Sequence, residues 1–339
     1  MKTMAWAIAL TLSPAGAQAE GHLSLYNWLD YISPQVLVKF TEETGITVRL
    51  ESYTSNEEML AKIQAGTTSY DIVFPSVHMN DIMLRLGLLD KTGINTHPDF
   101  KNIDPSFLRT KLDSKGEYCL PYAWGTVGIF YNEAQTGPIA SWEEFFAIPK
   151  KGLGPIALLD DKREVLAIGH FVNGTSVNST DPDEIRAAAD YILAQEAQIA
   201  TFDYEAPTRL EDGPYVAAQA YVGMNAFYQD RPQIKYVIPT EGATMYQENM
   251  CVLASAPNRA NAIKFMEFYL RPEIAALNVS HQFNSTPNIP ANVLTPEAIR
   301  SQPSINVQGE THRRLQILED LGTAIEHYDR AWNAIRPAP

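Results

Sequence analysis

The chain has 339 residues, of which 45% are hydrophobic. That is enough for substantial cores and too much for a disordered polymer, and the length fits two domains or one large one. Its formal net charge of −14 argues against nucleic acid as a partner and favours cationic ligands, although charge also simply keeps a protein soluble.

The chain opens with the pattern of a secretory leader. Met1-Lys2 is a short positive start, Met4 to Leu12 an apolar run, and Ala17-Gln18-Ala19 a small-x-small cleavage site, so residues 1–19 read as a signal peptide. The apolar run is too short to span a bilayer, and no later stretch is longer and equally apolar. No cysteine follows the cleavage site closely enough for lipidation. The expectation is an exported, freely soluble protein.

Strand and helix then alternate. Leu23 to Trp28 reads as a strand; Ser33-Pro34 opens a helix, with serine as N-cap and proline at the first helical position, and Val36, Leu37 and Phe40 face inward up to Gly45. Ile46, Val48 and Leu50 alternate as a second strand. Ser55 to Glu58 forms a capping box before a helix stopped by Gly66, Tyr70 to Pro75 reads as a buried strand, and a third helix reaches about Leu86. This order predicts a mostly parallel sheet with helices on both faces, an α/β fold. Such sheets bind ligands beyond the carboxyl ends of their strands, which is where Trp28 to Tyr31 and Ser76 to His78 fall.

Farther on, "GPIALLDD" reads as a strand, "KREVLAIGHFV" as a helix, Asp183 to Glu196 as a longer amphipathic helix, and "AAQAYVGM" and "IKYVIP" as strands. Cys251 to Leu270 returns to a strand followed by a helix, and Arg313 to Ile335 reads as helical. No internal repeat or low-complexity linker interrupts the chain. Two lobes crossed by more than one segment need no such linker.

Catalytic and cofactor signatures are missing: there is no G-x-S-x-G, H-E-x-x-H, P-loop or G-x-G-x-x-G, and the histidines lack paired metal spacing. No enzyme activity, cofactor or metal is expected. Cys119 and Cys251 are the two cysteines, and can form one disulfide or remain buried thiols.

Aromatic and acidic residues recur together instead. Tyr246 and Glu248 are two apart in a predicted strand and share one face, as Trp28 and Asp30 do if that strand is still extended. A ring beside a carboxylate is a natural receptor for an alkylammonium: the ring contributes about 0.5–2 kcal/mol, and the carboxylate a charge-assisted hydrogen bond. Aromatic residues at strand ends can equally roof a core while acids face water. Asp161 and Glu164 carry the same ambiguity, because D-x-x-E after a strand is also a capping box. Ser76 can likewise simply cap the helix that follows.

The stretches "YNWLDYISPQVLVKFTEETGITV", "YTSNEEMLAKI", "YDIVFPS", "YCLPYAWGTVGIFYN", "LLDDKREV" and "FYLRPEIA" resemble the periplasmic spermidine/putrescine-binding proteins of ABC importers, in order over nearly the whole mature chain. The resemblance implies a two-lobed periplasmic-binding-protein fold with a polyamine held in the cleft between lobes. It implies lobes of 20–129 with 248–294 and 130–247 with 295–339, a monomer in the periplasm, and an inner-membrane ABC permease as partner. By motif, the ligand-binding residues are Trp28, Asp30, Tyr31, Ser76, His78, Asp161, Glu164, Tyr221, Tyr246, Glu248 and Asn284. Three depart from the family's pattern: Tyr221 stands where a tryptophan is usual, His78 where an aromatic or hydroxyl residue is frequent, and Asn284 where a ring is expected. The resemblance also puts Cys119 and Cys251 near the crossover between lobes, where an oxidising compartment would join them. His78 is expected to titrate: acidic neighbours would raise its pKa, and affinity would fall as the imidazole protonates.

Overall fold

The computed structural model describes residues 21–66, 69–305, 307 and 309–336; the expected leader, 1–19, lies outside them. The predicted alternation appears in the first third as β1 (Gly21–Trp28), α1 (Pro34–Thr44), β2 (Ile46–Tyr53), α2 (Asn56–Gln64), β3 (Ile72–Val73) and α3 (Val77–Arg85). β1 pairs in parallel with both β2 and β3. Pro34 sits at the first turn of α1, where a missing N–H is no loss, and Gly45 ends the helix in the left-handed region at φ 74°. At α2 the Ser55 hydroxyl accepts the Glu58 N–H at 3.1 Å, while the Glu58 carboxylate takes the Thr54 N–H at 2.9 Å rather than that of Ser55.

β3 is shorter than the expected Tyr70–Pro75 because side chains take over its flanks. The buried Asp71 carboxylate accepts the N–H groups of Ser24 at 2.8 Å and Asn258 at 2.7 Å, and the Phe74 carbonyl accepts two aromatic side chains described below.

The long strand β4 (Cys119–Asn132) leads through α4 (Glu133–Thr136) and α5 (Trp142–Lys150) to β5 (Ile156–Leu158), α6 (Lys162–Asn173), α7 (Pro182–Leu193), β6 (Ile199–Phe202), β7 (Ala217–Tyr221) and β8 (Ile234–Val237). Then come β9 (Ala243–Val252), α8 (Arg259–Tyr269), α9 (Pro272–Gln282), α10 (Ile289–Leu294), α11 (Glu297–Arg300), α12 (Gly309–Arg313), β10 (Leu315–Ile317) and α13 (Ile325–Ile335). One mixed sheet runs β2-β1-β3-β9-β4-β7-β5-β6, with β10 beside β9 and β8 beside β4.

Two cores share this sheet. Leu25, Phe40, Phe74, Leu120, Met250 and Phe265 belong to the first, and Ile129, Trp142, Phe145, Leu166, Ile192 and Tyr328 to the second. The chain is therefore two-lobed, and β4 and β9 cross between the lobes as an antiparallel pair from Cys119↔Cys251 to Val127↔Thr244. All fourteen residues of β4 are buried, which is why "CLPYAWGTVGIFYN" reads as a continuous run rather than an alternation. Pro121, which cannot donate to the ladder, lies where the β4–β9 register shifts.

One expectation is corrected here. Arg313 to Ile335 is not one helix: Leu315–Ile317 extends as β10 beside Ala243–Met245, and α13 begins only at Ile325. β3 covers β9 only at Cys251–Val252, so the opposite end would otherwise present an open edge. The expected disulfide between Cys119 and Cys251 is present: it joins the crossing strands at one end of the β4–β9 ladder, in a separate cluster with Tyr26, Tyr53 and Met59. No described helix is long and apolar enough to cross a membrane.

Candidate functional site

Most of the sequence-predicted residues converge on the crossing strands. β9 presents Thr244, Tyr246 and Glu248 on one face, opposite Val127, Gly125 and Ala123 of β4. A Cβ at Gly125 would lie 2.3 Å from the Tyr246 hydroxyl and 2.7 Å from a Val222 methyl, so only glycine leaves room for the phenol. The Tyr246 ring meets Tyr221 of β7 edge-on, centroids 5.2 Å apart, and its hydroxyl donates to Asn284 Oδ1 at 2.7 Å.

Glu248 forms one pole. The residue is 6% exposed, and its Oε1 accepts the Ser76 hydroxyl at 3.2 Å, while the buried Oε2 has no hydrogen-bond partner among the described residues. The Tyr31 hydroxyl is buried and likewise unpartnered among them. Ser76 is the N-cap residue of α3, but its side chain makes no capping bond; it accepts Asn56 Nδ2 at 3.0 Å and turns toward Glu248. Burial pushes the Glu248 carboxyl up to about 8, against the opposing effect of the Ser76 hydrogen bond.

Asp161 and Glu164 form the other pole, and the two readings of their spacing divide between them. Asp161 caps α6, its Oδ1 accepting the N–H groups of Arg163 at 2.8 Å and Glu164 at 3.1 Å. Its Oδ2 remains available to the Tyr204 hydroxyl at 3.2 Å. Glu164 does not fold back into a capping box; its buried carboxylate accepts the Thr244 hydroxyl of β9. Burial first, then the neighbouring Asp161 charge, raise the Glu164 pKa. Tyr221 lies within the fields of Asp161, Glu164 and Glu248, and burial with these charges holds its phenol neutral. The two acidic poles thus flank one group of tyrosines.

Trp28 borders the site with a fixed ring. Its indole N–H donates to the Phe74 carbonyl at 2.8 Å, the Tyr53 hydroxyl reaches the same carbonyl at 2.7 Å, and the two rings lie 4.7 Å apart. Asp30 does not share a strand face with Trp28: β1 ends at Trp28, and Asp30 is exposed in a turn at φ 53°. His78 lines a cavity of about 220 Å³ with Val77, Asp81, Arg109, Lys111, Ile317 and Glu319. The expectation of a raised histidine pKa is overturned. Burial and the Arg163 guanidinium push the imidazole down to about 4, Asp320 opposing, so it is neutral across the physiological range.

The motif reading missed Asn56, Tyr204 and Thr244, which hold the carboxylates and Ser76. Asn56 and Tyr204 carry no spacing signal. Thr244 is two before Tyr246 on its strand, so the alternation that paired Tyr246 with Glu248 extends to it. Among the described residues, no group of three or more histidines, cysteines or carboxylates is arranged to hold a metal ion.

Residues 35–305 match the family model described as bacterial extracellular solute-binding protein. The chain belongs to the bacterial extracellular solute-binding proteins. This family binds solutes for ABC transporters and is not enzymatic. The solute-binding protein is 31% identical to the spermidine/putrescine-binding periplasmic protein of Escherichia coli (strain K12), over 98% of this chain and 96% of that one. It is 32% identical to the putrescine-binding periplasmic protein SpuD of Pseudomonas aeruginosa (strain UCBPP-PA14), over 97% of both chains. Its fold superposes on the spermidine/putrescine ABC transporter substrate-binding protein PotD of Streptococcus pneumoniae with a TM-score of 0.84 and 31% identity, covering 94% of this chain and 99% of that one. The α/β two-lobed periplasmic-binding-protein architecture is thereby established.

Proposed function

We propose that this solute-binding protein captures a short aliphatic polyamine of the putrescine or spermidine type and delivers it to an inner-membrane ABC permease. The carrying observation is Glu248: a buried carboxylate with one oxygen unpartnered among the described residues, beside the equally unpartnered Tyr31 hydroxyl. A buried carboxylate without a cation either protonates or destabilises the fold, so the arrangement calls for a cationic ligand. Relatives named for spermidine and putrescine, alike over nearly their full length, support the same reading.

In this reading Tyr31, Tyr221 and Tyr246, with Trp28 at the border, enclose the methylene chain and attract the ammonium groups through their ring faces. Glu248 neutralises one ammonium and Asp161 with Glu164 another, while Asp30 contributes long-range field. Ser76 and Asn284 orient the Glu248 carboxylate and the Tyr246 phenol, and His78 is a neutral neighbour at the edge. The lobes, 20–129 with 248–294 and 130–247 with 295–339, close by bending of the crossing strands, and the ligand favours the closed form by binding it more tightly. Lys111 with Glu319 at 2.6 Å and Arg85 with Asp320 are ion pairs suited to that closure. We further propose a monomer exported to the periplasm by its 1–19 leader, with no nucleic-acid partner.

Calorimetry with putrescine, spermidine, spermine, cadaverine and free amino acids tests the assignment. Saturable binding of at least one polyamine is expected, and binding of amino acids alone would refute it. Two variants probe the site's construction. Gly125→Ala is expected to displace Tyr246, weakening polyamine binding and lowering stability by about 1–3 kcal/mol, as overpacking does; a variant matching wild type in both would remove Tyr246 from the site. His78→Gln is expected to leave the pH profile of affinity between pH 8 and 5.5 unchanged, because the imidazole stays neutral over that range. A profile flattened by the substitution would restore the histidine as the titrating group.

A further inference from the structure

Behind the candidate cleft, buried side chains close a small hydrogen-bond network. The Tyr122 hydroxyl donates to the Tyr31 carbonyl and accepts Gln282 Nε2 at 3.0 Å and Asn278 Nδ2 at 2.8 Å. One donor and two acceptor positions saturate a phenol. Gln282 Nε2 also donates to the Tyr31 carbonyl, so that oxygen holds two donors and the three groups form a closed ring. Asn278 extends the network: its Nδ2 reaches the Tyr269 hydroxyl at 3.0 Å and its Oδ1 accepts the Ser33 N–H at 2.8 Å.

These bonds grip the turn after β1 at two places, the carbonyl of Tyr31 and the N–H of Ser33. The turn needs gripping. Asp30 is held at φ 53°, a conformation that a residue with a side chain keeps only when its surroundings over-determine it. The same stretch of chain reaches the other wall of the cleft. Phe283, buried and also left-handed at φ 55°, ends α9, and the next residue, Asn284, accepts the Tyr246 hydroxyl at 2.7 Å. Asn284 Oδ1 also packs against Gly223, where a Cβ would lie 3.0 Å from it. Ser285 then pairs with Trp124 of β4 through two backbone bonds of 2.8 and 2.9 Å.

We propose that Gln282 is a positioning residue for the ligand: it holds the Tyr31 backbone with Tyr122, and the left-handed turn beside it sets Asn284 against Tyr246. One short segment therefore aligns both tyrosine walls, and Gln282 acts on affinity through Tyr31 without touching the solute. This role rests on the polyamine reading for its ligand, but the ordering of the turn does not.

Two measurements on the full chain decide it, with Gln282→Met removing the donor at nearly constant volume. Without ligand, amide hydrogen exchange over 29–33 is expected to accelerate at least tenfold. Affinity for putrescine and spermidine is expected to fall at least tenfold, and to fall no further when Gln282→Met is added to Tyr31→Ala. Unchanged exchange, or a loss that multiplies in full onto that of Tyr31→Ala, overturns the proposal. If Gln282→Met does not fold, Gln282→Glu, which offers an acceptor where the donor was, is read by the same two criteria. A wild-type protein that binds neither amine sinks the polyamine reading instead, and the exchange data still decide whether Gln282 orders the turn.

Discussion

Glu248→Gln is expected to weaken putrescine and spermidine binding by roughly 30-fold to several thousand-fold, the equivalent of about 2–5 kcal/mol for truncating one partner of a buried charge pair. The substitution keeps shape and the Ser76 contact but removes the charge opposite the ammonium. Calorimetry showing an affinity within twofold of wild type would take Glu248 out of the site. The same variant makes an opposite prediction without ligand. Burial raises the folded-state pKa of Glu248 from 4.5 to about 8, so the folded protein holds a proton there that the unfolded chain has released. Stability from this group is present at low pH and is lost as pH rises through about 8. Unliganded Glu248→Gln should therefore have a higher Tm than wild type at pH 8, with the gap closing near pH 5. A bound ammonium favours the ionised carboxylate, so wild-type binding should release protons and strengthen between pH 6 and 8. An affinity independent of pH over that range would show that Glu248 is already ionised in the free protein.

Replacing both Cys119 and Cys251 by alanine is expected to reduce stability by about 3–5 kcal/mol while leaving ligand affinity within about twofold. The bond spans 132 residues of sequence, a long loop whose closure restricts the unfolded chain strongly. It also joins directly paired residues at one end of the β4–β9 ladder, beside Asn80, in a cluster that does not include Tyr31, Tyr221 or Tyr246. Urea denaturation of oxidised, reduced and alanine forms measures the first part, and calorimetry the second. A large affinity loss in a folded alanine variant would mean that the disulfide, from its end of the ladder, governs the geometry of the crossing strands where Tyr246 and Glu248 lie.

What the sequence determined by itself was local. Proline at the start of α1, glycine at its end, serine before α2 and aspartate before α6 are punctuation whose physics acts within four residues, and each appears where expected. The alternation of Tyr246 and Glu248 placed them on one face of a strand for the same reason. The tertiary structure decided everything that depends on a partner distant in sequence. Leu315–Ile317 became a strand because β9 had an edge to cover, not because of its own pattern. Whether Asp161 and Glu164 were caps or site residues turned on Thr244 and Tyr204, which reach them from other elements. Acidic neighbours were expected to raise the His78 pKa, but burial first and then the Arg163 guanidinium outweigh Asp320, so the sign of the shift reversed. Short-range sterics and hydrogen bonds are written in neighbouring residues, whereas burial and electrostatic field sum over every chain segment that folding brings near.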